Sequence, residues 1–218
     1  MGVSKEFRKA VLAALRERMS ALGLRRGRHD VYWLPVADET IGTVGLMHTT
    51  GGRPRGVLEV GPVISVDHQG TARLMAEIEG RPFDYLAPAG VFSQLGYLTP
   101  SNRWDPFLFC EGEPIAPIAD ALAEEVRNWG LPFIREYDSL PKLVSVTQSG
   151  KFGHPMHIYT LPAALHLLGR YDESDDYLDR ELASQGPPIP GTGMERYARF
   201  AAGLKERNRL ARQRGCAR

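Results

Sequence analysis

The sequence predicts an α+β protein with an N-terminal helix, an antiparallel meander of four to five strands, and a mostly helical C-terminal half holding an αα-hairpin. Three observations carry this. Phe7, Val11, Leu12, Leu15, Met19 and Leu22 recur at helical spacing, with Lys and Arg residues between them. Residues 31–66 break into short β-branched and aromatic runs bounded by Gly, Pro and Asp. From residue 115 onward the apolar period becomes that of helices again.

The elements follow in order. Ser4 is placed to cap a helix over 5–22, and Gly23 offers its left-handed stop. Strands are expected at 31–34, before Pro35, at 43–47, after Gly42, and at 57–66, beyond the loop 49–54. The third alternates cleanly, and Pro62 marks a bulge or an edge position within it. Ala72, Leu74, Met75 and Ile78 suggest a short helix over 69–79. Further strands are expected near 91–98 and 104–110, the second completing the sheet. Ile115, Ile118, Ala119, Leu122, Val126 and Trp129 share one helix face, with Gly130 as its stop. Helical pieces over 132–137 and 140–147 come next, with Pro141 in a first turn, where proline is tolerated.

A glycine-marked loop over 149–155 leads to the hairpin, helices 161–169 and 172–183, with Leu165, Leu168, Tyr177, Leu178 and Leu182 as its seam. Thr192 and Glu195 have the spacing of a capping box for a last helix that fades beyond Arg207. The domain reading is an α+β domain over 1–148, a helical hairpin packed on it over 149–186, a linker over 187–191 and a basic C-terminal helix and tail over 192–218.

Gly23-Leu24-Arg25-Arg26 closes the opening helix, and Trp129-Gly130-Leu131-Pro132-Phe133 lies in the helical part. With those motifs, the layout of residues 5–148 resembles bacterial domains of unknown function of the immunity and genomic-island type. The resemblance implies a binding role without catalysis. It says nothing of residues beyond 148.

The net charge of +1 hides a segregation. Residues 1–30 hold eight Lys/Arg against three acids (+5), residues 192–218 eight against two (+6), and the middle balances at −10. Basic ends would suit nucleic acid. The plainer reading is solvated helix faces lying partly against the acidic body, because no stacking aromatics interleave the charges. The acidic middle would suit a basic partner.

Several chemistries have no signature here. The two cysteines, Cys110 and Cys216, form no Cys-x-x-Cys, zinc-finger or disulfide pattern. Gly150-Lys151 fails as a phosphate loop: no glycine stands five residues before Gly150, and Phe152 takes the place of Ser or Thr. Neither a dinucleotide-binding Gly-x-Gly-x-x-Gly nor a Gly-x-Ser-x-Gly elbow exists, and no cofactor is indicated. Residues 1–6 lack the apolar stretch of a secretory signal, so the cytoplasm is the expected location.

Two groups of residues remain as candidates. His154, His157 and Lys151 cluster near a glycine-rich loop, and Asp67 and His68 end a strand. Together they would serve a small-ligand or metal-dependent enzyme, provided that they converge in a pocket. Aromatics crowd the strand-rich half, and Trp104 beside Arg103 has the composition of a protein-interface hot spot. The leading expectation is therefore a non-catalytic protein-binding factor, immunity-like or accessory. The enzyme is the alternative, and nucleic-acid binding by the basic ends comes third.

Overall fold

The computed structural model describes residues 2–86, 90–152, 156–186 and 188–216. Its elements give an α+β fold. Helix α1 spans Lys5–Ala21; the Ser4 hydroxyl accepts from the Phe7 N–H at 3.2 Å, and Gly23 turns the chain at φ +82°. Strands β1 (Arg25–Arg26), β2 (Val31–Ala37), β3 (Thr40–Thr49) and β4 (Val57–His68) follow. Next come α2 (Gln69–Ile78), β5 (Val91–Gln94), a 3-10 turn (Leu95–Tyr97) and β6 (Phe107–Cys110). The sheet order is β1-β2-β3-β4-β5, with β6 also paired to β4.

The chain divides into two compact units, one of residues 1–66 and 92–138, the other of 67–91 and 139–218. In the first, the alternation of β4 sorts its side chains. Leu58, Val60 and Ile64 are buried toward the helices, while Glu59, Gly61, Val63 and Ser65 face the other way. β6 runs antiparallel to β4 with Leu58 opposite Phe109 and Glu59 opposite Leu108. The helical layer is α1 with α3 (Ile115–Glu125), a π-helical turn (Val126–Gly130) and α4 (Leu131–Glu136). Ile134 of α4 fills the space that a side chain at Gly42 in β3 would need.

Gly130 does not end the helix that began at Ile115. It is helical (φ −69°), and a Cβ there would stand 3.0 Å from Ile64 Cδ1. The glycine is explained by close approach of helix to sheet, and the chain passes through a wider π turn without stopping.

The second unit is helical: α2, α5 (Leu140–Gln148), α6 (His157–Leu167), α7 (Tyr171–Gln185) and α8 (Gly193–Cys216). Leu74 and Met75 of α2, Tyr159 of α6, Leu178 of α7 and Phe200 and Leu204 of α8 share one core cluster. The αα-hairpin is present as α6 and α7, and Leu165 and Leu178 of its expected seam are buried. Its first helix starts at His157 and carries Pro162 inside it. Two expectations fail in α8. The Glu195 carboxylate accepts from the Gly191 N–H at 2.7 Å, and Thr192 donates to the Ile189 carbonyl, so no capping box forms. Nor does the helix fade at Arg207; it continues to Cys216.

Buried Asn208 helps to hold α8 in place. Its side-chain oxygen accepts from His166 Nδ1 at 2.6 Å, and its amide nitrogen donates to Ser174 Oγ at 3.1 Å and Asp175 Oδ1 at 2.7 Å. Many cations of the basic terminal helix are matched within the unit. Arg196 pairs with Glu79, Lys205 with Asp179, Arg207 with Glu77, and Arg212 with both Asp172 and Asp175.

Candidate protein-binding surface

The face of the first unit's sheet that points away from α1 and α3 carries an apolar patch whose centre is Trp104. The hydroxyls of Thr43 on β3 and Ser65 on β4 hydrogen-bond at 2.7 Å, which makes the two residues cross-strand neighbours on this face. Counting two residues along each antiparallel strand sets Gly45 beside Val63 and Met47 beside Gly61. The first pairing agrees with the Val63 carbonyl lying nearest to Gly45. The six-membered ring of Trp104 occupies the space above Gly61 where a Cβ would stand. On the far side of β4, Leu108 pairs with Glu59, next to Gly61 on the same face. Met47, Trp104 and Leu108 thus form one row, and they are 64%, 37% and 41% exposed.

The loop that delivers Trp104 is closed on itself. Arg103 N–H donates to the Gly96 carbonyl at 3.3 Å, and Thr99 Oγ1 donates to the same oxygen at 2.9 Å. A side chain at Gly96 would strike the Arg103 backbone, so glycine there allows the loop to fold flat against its stem. Asn102 takes the left-handed conformation (φ +44°), one that Asn tolerates better than most residues.

Ion pairs border the apolar row. Arg53 is paired with Glu59, and Arg103 stands 3.6 Å from Asp105 with both side chains mostly exposed. Farther along, burial and then the neighbouring Asp105 carboxylate raise the Glu125 carboxyl above its ordinary range. The sheet thus supplies a rigid base, the indole a wide apolar contact, and the rim charges that can steer a partner.

The other sequence candidates that the structure describes, Lys151, His157, Asp67 and His68, lie in the second unit. His154 is outside the described residues. Lys151 is exposed, its ammonium 5.2 Å from the Phe152 ring centre, and Ser149 accepts its backbone N–H. His157 opens α6. Asp67 is buried and accepts from the Gly90 N–H at 2.7 Å. His68 caps α2, its Nδ1 accepting from the Thr71 N–H at 3.3 Å, and lines a cleft that neither His157 nor Lys151 lines. Among the described residues, no group of three or more His, Cys, Asp or Glu is placed to hold a metal ion. Among them also, no helix is long and apolar enough to cross a membrane.

Sequence reasoning singled out Trp104 and Arg103 but missed Met47 and Leu108. A signal was available in Gly61, since an isolated glycine inside a strand often marks a close approach by another group. Comparison with protein-family models, with curated proteins and with solved structures gives no match for the chain.

Proposed function

We propose that this protein works by binding another protein, with the row Met47–Trp104–Leu108 as its contact surface. The carrying observation is that three large apolar side chains are contiguous, exposed and seated on a sheet. A soluble surface tolerates scattered apolar residues, but a rimmed apolar cluster centred on Trp is the composition of an interaction site. Packing over Gly61 limits the conformational freedom that the indole would lose on docking, which favours binding. An immunity-like or accessory role is the finer form of this reading. Its support is the layout resemblance together with a contact surface that requires no reaction chemistry.

The test is site-specific photocrosslinking in the native cells, with the reactive amino acid placed at Met47, at Leu108 and, as a control, at exposed Arg199 on α8. A discrete adduct with one protein from positions 47 and 108, absent from 199, supports the proposal. Adducts indistinguishable from the control at both positions refute it.

A further inference from the structure

Taking the contact surface proposed above as given, we infer that the partner engages it with an extended segment, added to the sheet as a strand beside β6. The end of that segment next to Glu113 carries Lys or Arg.

The register of β6 shows which backbone groups are open. The Glu111 N–H donates to the Gly56 carbonyl at 2.8 Å, and in the same register Phe109 faces Leu58 and Phe107 faces Val60. Hydrogen-bonded pairs alternate along an antiparallel ladder, so residues 107, 109 and 111 turn their backbone groups to β4. Leu108 and Cys110 turn theirs the opposite way. Among the described residues β6 pairs with β4 alone, which leaves that opposite side a free edge.

Three groups on this edge have no partner among the described residues: the Leu108 N–H, the Leu108 carbonyl and the Cys110 N–H. The Cys110 carbonyl is spent on the Glu113 N–H at 3.1 Å, so the open ladder ends there. An extended backbone matches these three groups. In an antiparallel addition one residue exchanges both bonds with Leu108, and the residue two positions along accepts from Cys110. The side chain opposite Leu108 then falls in line with Met47, Trp104 and Leu108, so an apolar residue there lengthens the row.

Charge indicates the end of the segment. The bond to Cys110 holds residue 113 at the close of the free edge, and the Glu113 side chain is exposed with no ion pair among the described residues. The other acids beside β6 are already engaged: Ser4 N–H holds Glu111, and Arg103 stands 3.6 Å from Asp105. Glu113 is therefore the charge open to a basic side chain. A second copy of the chain fits the edge poorly. Antiparallel pairing about Leu108 would bring Asp105 of one copy toward Glu111 and Glu113 of the other.

The experiment selects binders to the full chain from a display library of random linear peptides, then follows amide exchange of the chain with each peptide bound. Selected sequences should alternate apolar residues and carry Lys or Arg at one end. Exchange of the Leu108 and Cys110 amides should slow about tenfold or more on binding, while Phe107 and Phe109 stay as they were. Cys110→Pro removes an outward donor at an edge, where proline is tolerated, and should weaken binding about tenfold relative to Cys110→Ala. Glu113→Gln should weaken it about threefold and reduce its salt dependence. Selected peptides that all leave Leu108 and Cys110 exchanging freely overturn the added strand, even where they shift Met47 and Trp104 and so uphold the contact surface. A library that yields no binder overturns it too, whereas failure of the contact surface itself is read from the crosslinks at 47 and 108. Protection of the two amides that rises with the chain's own concentration, without peptide, assigns the edge to a second copy and also overturns it.

Discussion

The Trp104 indole occupies the space where residue 61 would carry its Cβ, so Gly61 in the middle of β4 is the seat of the exposed aromatic. This contact connects a strand position to the candidate surface. Gly61→Ala would force either the ring or the strand to move, at a cost of about 1–3 kcal/mol. The expected outcome is a lower melting temperature with a red-shifted tryptophan emission, read by thermal melts and fluorescence. Unchanged values for both would mean that the ring does not rest on Gly61 in solution.

The row itself is expected to be dispensable for folding. Met47→Asp and Leu108→Asp remove exposed side chains, and each should change stability by less than about 0.5 kcal/mol in urea unfolding. A much larger loss would show that these residues serve the core and not a surface.

Asn208 makes the opposite prediction. Asn208→Ala leaves His166, Ser174 and Asp175 without their shared amide. A loss of about 2 kcal/mol is expected, appearing as a lower urea midpoint with an unchanged slope. The effect should be confined to the second unit, with amide exchange accelerated in α6, α7 and α8.

Alkaline pH should destabilise the fold through buried tyrosines. Burial lifts the Tyr137 hydroxyl to about 12 and lifts those of Tyr177 and Tyr197 further, against about 10 for a free phenol. The folded state therefore keeps protons that the unfolded state loses. The stability from these groups is fully present below about pH 10 and falls as pH rises toward their folded values. Ultraviolet titration should show the phenolate absorbance of these buried tyrosines appearing only as the protein unfolds. A single phenolate transition near pH 10 with an intact circular dichroism spectrum would contradict this.

Acid acts on the other end of the first unit. Ser4, through its hydroxyl and its backbone N–H, holds the Glu111 carboxyl below its usual range, and the N–H contact is 2.6 Å. The contribution is present above the ordinary carboxyl value and is lost as pH falls through the depressed one. Exchange of the Ser4 amide should accelerate in that window, and Glu111→Gln should remove the pH dependence.

Much of the fold was legible because it rests on local chemistry. Ser4 and the Phe7–Leu22 spacing defined α1, and β-branched runs defined β2, β3 and β4. What failed depended on distant partners. Gly130 reads as a stop until Ile64 is known to press against it, and Thr192 with Glu195 reads as a capping box until Gly191 and Ile189 compete for the same groups. The candidate surface was half visible. Strand alternation puts Met47 and Leu108 each on one face, but which face stays open is decided by where the helices dock.

Affinity for the crosslinked partner, measured by calorimetry for the wild-type chain and for Leu108→Asp, tests the central claim most directly. The account predicts that the substitution weakens binding at least tenfold while leaving the melting temperature unchanged. Equal affinity in the two proteins would contradict it.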